Sequence, residues 1–197
     1  MKAIRIAITG GIGSGKSTVL NLIQELGYPV FSCDEIYRVL RKSEDYLFGL
    51  KGLFPQVFVN NSADFKKLSQ IVFNDKNELE KLNAYAHPLI VKHLMKNINS
   101  IKEGLSFSEV PLLFECNLME CFDYIIIVKR PINERIFSVC ERDGVSKEEV
   151  SNRMKNQFDY DHKDFSKFKN IFILENNQTI ERLKSNLLSI ITNISQS

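Results

Sequence analysis

Gly10-Gly11-Ile12-Gly13-Ser14-Gly15-Lys16-Ser17-Thr18 decides how this chain is read. The stretch fits G-x-x-x-x-G-K-[ST], the pattern of a phosphate-binding P-loop. Upstream, Ile4, Ile6 and Ile8 alternate with Arg5 and Ala7, which is the period of a strand. Downstream, Val19, Leu20, Leu22, Ile23 and Leu26 recur at helical spacing. Strand, glycine loop and helix thus follow in the order the motif requires. Glycines let the backbone take positive φ and come close to a ligand. Loop N–H groups and the helix N-terminus then favour an anion. Gly11, Ile12, Gly13, Ser14, Gly15, Lys16, Ser17 and Thr18 are therefore expected to cradle a di- or triphosphate. Lys16 would reach the β- and γ-phosphate oxygens and Ser17 would place its hydroxyl on Mg²⁺. The bland alternative is a glycine-rich turn that binds nothing.

Composition bounds the rest. The chain has 197 residues, 44% hydrophobic and 25% charged, which is ordinary for a globular domain. That length allows one domain with an inserted subdomain. A formal net charge of +2 is weaker than the clustered basic excess of nucleic-acid binders. Cys33, Cys116, Cys121 and Cys140 form no C-x-x-C pair and no zinc spacing, so they read as small thiols in a reducing compartment. No signal-peptide pattern opens the chain and no apolar run nears the ~18 residues of a membrane span. These features predict a cytoplasmic protein with no membrane or nucleic-acid partner, a monomer or weak homo-oligomer acting on a small molecule.

Further along, Gly27 marks the end of the first helix, and Pro29-Val30-Phe31 reads as a second strand. Asp34 follows that strand's carboxyl end, on the ligand side of an open parallel sheet. It is a candidate base or metal-shell carboxylate, or else a helix N-cap before Ile36, Val39 and Leu40. From there to about Glu103 the stripes are helical: Leu47, Leu50 and Leu53; Leu68, Ile71 and Val72; Leu79, Leu82 and Tyr85. Phe54 to Asn61 reads as a loop. Pro88 is expected to start a fresh helix carrying Leu89, Ile90 and Leu94. His87, just before it, would then lie outside helical geometry, as a structural histidine or a site residue.

Leu105 to Val110 reads as a third strand, with Glu109 at its ligand-side end as a Walker-B-type carboxylate for Mg²⁺. Tyr124 to Val128 is a continuous apolar run, typical of a buried parallel strand. A basic helical segment follows from Arg130 to Lys155. Arg142 and Arg153 are candidates to neutralise a transferred phosphate, against the plainer reading of a solvated face. Ser146, with Glu148 and Glu149 after it, reads as a helix start. Asn170 to Leu174 is the last strand, and Glu175 to Gln178 a turn placed to contact adenine. A terminal helix carries Ile180, Leu183, Leu187, Leu188 and Ile191, and residues 195–197 are expected to fray.

In this order the motifs resemble the dephospho-CoA kinase family. The resemblance rests on Thr9 to Thr18, Asp34-Glu35-Ile36, His87-Pro88-Leu89-Ile90 and Glu109-Val110-Pro111-Leu112-Leu113-Phe114-Glu115, then Arg142-Asp143-Gly144, Arg153 and Gln157. It implies an α/β fold: a P-loop NTPase-type parallel sheet flanked by helices, with a helical substrate-binding insertion and a helical lid. It also implies a single domain whose core is about 1–34, 105–129 and 170–197, with the insertion at about 35–104 and the lid at about 130–165. The activity implied is transfer of the ATP γ-phosphate to the ribose 3′-hydroxyl of dephospho-CoA, giving coenzyme A. Asp34, Lys16 and Arg142 would be catalytic. Asp34, His87, Pro111, Leu112, Phe114 and Glu115 would hold dephospho-CoA, and Ser17 and Glu109 the metal. Several positions depart from the family pattern: Ser32 and Cys33 before Asp34, Phe65 for a usual arginine, Arg135 for a usual glutamine, Ser138 for a usual arginine, and Gln178 for a glycine. The alternatives are another P-loop small-molecule kinase, such as a nucleoside monophosphate kinase, and a nucleotide-dependent switch. No Asn-Lys-x-Asp element supports the switch.

Overall fold

The computed structural model describes residues 3–196. By packing, these divide into two compact units, 1–31 with 101–197 and 32–100.

The first unit is built on a sheet of order β2-β5-β1-β6-β7. The strands are β1 (Ala3–Thr9), β2 (Val30–Ser32), β5 (Gly104–Glu109), β6 (Tyr124–Lys129) and β7 (Ile171–Glu175). The β1–β5, β1–β6 and β6–β7 pairings are all parallel. β1 sits in the middle because Ile6, Ala7 and Ile8 leave no face for water. Ile125 to Val128 of β6 are likewise buried on both faces, which is why the run shows no alternation. Against the sheet lie α1 (Lys16–Glu25), through Val19, Leu20, Leu22 and Ile23, and α8 (Ile180–Gln196), through Leu183, Leu187, Ile191 and Ile194. α1 ends in a Schellman turn: Gly27 N–H donates to Gln24 C=O, Tyr28 N–H donates to Ile23 C=O, and Gly27 has φ of 84°. The expected fraying of residues 195–197 needs correction. α8 continues to Gln196 because Ile194 is buried and Ser195 Oγ donates to Ile191 C=O at 2.9 Å. Ser197 lies outside the described residues.

Between β6 and β7 run α6 (Ile132–Asp143) and α7 (Lys147–Lys155). Gly144, with φ of 67°, separates them, and Ser146 and Glu149 form a reciprocal capping box on α7.

The second unit comprises α2 (Cys33–Leu40), α3 (Glu44–Leu53), α4 (Phe65–Asn74) and α5 (Lys76–Ser100), packed around Tyr46, Leu50, Phe54, Leu68, Leu82 and Ala86. Three readings are corrected here. Within the stretch read as a loop, a 3₁₀ turn at Pro55–Val57 leads into the hairpin β3 (Phe58–Val59) and β4 (Ser62–Ala63). Asn60 and Asn61 turn it at φ of 49° and 63°, the signature of a type I′ turn, which asparagine tolerates. Leu79 is exposed, outside the core stripe. Pro88 does not start a helix: α5 runs through it, and His87 stays helical. An interior proline costs ~3 kcal/mol. Burial of Leu82 and Ala86 before it and Leu94 and Ile98 after it outweighs that, at roughly 1.5–3 kcal/mol per large side chain.

A Cβ at Gly27 would meet nothing within 4 Å, so only its backbone angle resists substitution. Gly27→Ala is expected to cost about 1 kcal/mol and lower Tm by about 2–4 °C, with nucleotide affinity unchanged. Thermal melts and nucleotide titration check both parts.

Candidate nucleotide site

The glycine loop leaves β1 at Thr9 and enters α1 at Lys16, with Gly15 in left-handed geometry (φ 93°) at the N-cap. No side chain caps this helix, so its first N–H groups keep their affinity for an anion. Lys16 Nζ lies back along the loop, donating to Gly10 C=O at 2.8 Å and Gly11 C=O at 3.1 Å. Ser17 and Thr18 are exposed in the first turn of α1. Ser14 Oγ is buried in the loop with no hydrogen-bond partner among the described residues. An orphaned hydroxyl in the loop that leads into an uncapped helix N-terminus fits a phosphate ligand.

The loop is held from behind by distant chain. Ile12 N–H donates to Gln157 Oε1 at 2.8 Å. Arg135 Nε–H donates to Ile12 C=O at 2.9 Å, and its Nη1 pairs with both Asp161 oxygens at 2.9 and 3.0 Å. Asn176 Nδ2 donates to Ser14 C=O at 2.9 Å. A Cβ at Gly15 would collide with that same Asn176 amide, so the glycine is needed for the contact as well as for its φ.

A second group of contacts joins the loop's entrance to the turn after β5. Thr9 Oγ1 and Tyr160 Oη are 2.8 Å apart, and Tyr160 also reaches Pro111 C=O at 3.5 Å. Phe158 N–H donates to Glu115 Oε1 at 2.9 Å. Phe114 stacks on Phe158, with ring centroids 4.3 Å apart, and both pack near Phe165. Pro111, Phe114 and Glu115 are thus gathered by residues 158–165, while Leu112 C=O accepts from Cys116 N–H at 3.0 Å. Glu109 is buried and opposite Ile8 in the sheet register, one residue before Thr9.

Other expected site residues are placed differently. Arg142 is exposed and forks onto Asp143, at 2.7 and 3.1 Å. Arg153 reaches the same carboxylate at 3.2 Å. Both arginines lower the Asp143 pKa from its ordinary value, Arg142 by its hydrogen bond first. Arg130 donates to Ser138 Oγ at 2.8 Å and pairs with Glu134. In the other unit, Asp34 is exposed in the first turn of α2, where a carboxylate suits the helix dipole. The N-cap position is Ser32, not Asp34. His87 is half-buried, and burial lowers its pKa below the ordinary histidine value.

Arg135, Gln157, Tyr160, Asp161 and the Asn176 amide carry the loop, yet Arg135 stood out in the sequence only as a departure from a pattern. Their partners lie 123, 145 and 162 residues away for Arg135, Gln157 and Asn176, so no local periodicity marks them.

Among the described residues no group of three or more His, Cys, Asp or Glu could cage a metal. No described helix is long and apolar enough to cross a membrane.

A glycine loop on the central strand of a parallel sheet, with an uncapped helix behind it and a lysine lying along it, defines a P-loop nucleotide-binding protein. The family model for dephospho-CoA kinase (CoaE) matches residues 4–182. The chain belongs to the dephospho-CoA kinase family. It is 35% identical to a dephospho-CoA kinase of Thermus thermophilus over 97% of this chain and 92% of that one. It is 34% identical to one of Geobacillus kaustophilus over 95% of each. The crystal structure of TT1252 from Thermus thermophilus superposes with a TM-score of 0.82 at 34% identity, covering 98% of both chains.

Burial pushes the Tyr160 phenol up to about 12, the Thr9 hydroxyl pulling the other way. A raised folded-state value means that stability is complete below the phenol's ordinary pKa near 10 and is lost as pH climbs toward about 12. Between those limits the wild type is expected to lose on the order of 1 kcal/mol per pH unit more than Tyr160→Phe. Urea unfolding at paired alkaline pH values measures the difference.

Proposed function

We propose that this protein transfers the γ-phosphoryl group of ATP to the ribose 3′-hydroxyl of dephospho-CoA, giving ADP and coenzyme A, with the cytoplasm as its compartment. The observation that supports this reading is the glycine loop itself, with Lys16 lying along it, Ser14 Oγ unpartnered and α1 uncapped. The loop supports a triphosphate donor, and family membership supplies the acceptor.

The 3′-oxygen attacks the γ-phosphorus as the bond to the β,γ-bridging oxygen breaks, and the hydroxyl proton passes to a base. Asp34 fills that role in this reading: its carboxylate is exposed and carries no structural capping duty. Lys16 offsets charge on the β- and γ-phosphates. Ser17, with Glu109, would hold Mg²⁺, which when bound neutralises charge on the phosphates. Residues 32–100, with His87, and the turn from Pro111 to Glu115 take the acceptor. The 130–165 segment is the lid, and Arg142 meets the transferred phosphate by leaving Asp143.

A panel of acceptors in an ADP-release assay tests the reading. Release is expected with dephospho-CoA and not with nucleoside monophosphates; the reverse pattern would make this a nucleotide kinase. Asp34→Asn is expected to lower kcat by roughly 10²–10⁴ with ATP affinity little changed. Near-normal turnover in that variant would remove Asp34 from the base role.

A further inference from the structure

Ile12, at the tip of the loop, is held through both of its backbone polar groups. Gln157 accepts its N–H, and Arg135 Nε–H donates to its C=O. The chain has no cis peptide among its described residues, and a trans peptide points its C=O and N–H in opposite directions. The Gly11–Ile12 peptide therefore turns its carbonyl away from Gln157, and Lys16 Nζ meets that carbonyl at 3.1 Å. By the same geometry the Ile12–Gly13 peptide, held at its carbonyl by Arg135, turns the Gly13 N–H away from Arg135. There it meets no protein acceptor among the described residues.

We propose that Arg135 is a positioning residue for the donor nucleotide: its Nε–H fixes the Ile12–Gly13 peptide so that Gly13 N–H faces the phosphate. The side chain is suited to hold a peptide still. It is only 4% exposed, and Asp161 locks its fork. A Cβ at Gly11 would run into its guanidinium, and one at Gly13 would approach its own carbonyl oxygen at 2.6 Å. These two glycines thus make room for Arg135 as well as for a ligand. The proposal rests on the loop binding ATP.

Substitution separates this role from a plain structural pin. Glutamine carries Nε2 the same number of bonds from Cα as arginine carries Nε. Arg135→Gln therefore keeps a donor at Ile12 C=O while losing the Asp161 pair. Arg135→Met keeps the reach and loses both. ATP is titrated into each variant by calorimetry, followed by steady-state kinetics with dephospho-CoA and a melting curve. Arg135→Met is expected to weaken ATP binding and raise KM for ATP about tenfold, the worth of one hydrogen bond to an anion. Its kcat and its KM for dephospho-CoA stay within about threefold. Arg135→Gln is expected to bind ATP within about threefold of wild type, although both variants melt earlier. Equal, wild-type affinity in the two variants would mean a structural pin, and equal weakening would mean direct charge on the phosphate; either overturns the proposal. If the wild type itself binds no ATP, the nucleotide reading fails and the proposal falls with it.

Discussion

A loop that offers a backbone N–H to an anion must leave that group unspent: Ser14 N–H turns to Gly11 C=O and Ile12 N–H to Gln157, while Gly13 N–H meets no protein acceptor among the described residues. Buried peptide groups need partners, so such a loop must be held through groups that face away from the ligand. Here that constraint organises the first unit. Arg135 and Gln157 hold Ile12, and Asn176 holds the Ser14 carbonyl. The helices and turns after β6 are therefore part of the loop's scaffold. β1 contributes by being central and dry on both faces, which fixes where the loop begins.

Local physics made much of the fold legible from sequence. Alternation around Ile6, the glycines and the 3.6 period of α1 each act within a few residues, so strand, loop and helix could be read directly. The unbroken run of β6 marked a buried parallel strand for the same reason. What escaped was set by longer-range balances. Pro88 reads as a boundary locally, but burial on both sides carries α5 through it. Asn60-Asn61 is a strong turn signal between strands only two residues long, too short to alternate. The places of Lys16 and Ser17 at the start of α1 and of Glu109 at the end of β5 were legible because the motif and the strand end fix them. Arg135 was not: a buried arginine on a basic helix looks like any solvated charge until its partner Asp161 is in place.

The second unit follows the same logic of satisfied polar groups. Tyr46 is buried at its centre, and its hydroxyl donates to Tyr37 Oη at 3.2 Å while its carbonyl accepts from Tyr85 Oη at 2.9 Å. A rigid aromatic core there leaves the polar ends of α2 on its surface, where Asp34 lies. Asp143 plays a comparable part near the end of α6, gathering Arg142 and Arg153 on one carboxylate. Arg142 is thus paired yet exposed, unlike the buried Arg135.

The central claim is that the loop is the donor half of a phosphotransferase whose acceptor is dephospho-CoA. Its most direct measurement is the identity of the product made by the purified protein from ATP and dephospho-CoA, read by mass and by phosphorus NMR. The account predicts one added phosphate, on the ribose 3′-oxygen, formed in equal amount with ADP. ADP formed with inorganic phosphate, or a phosphate delivered to another acceptor while dephospho-CoA stays intact, would contradict it.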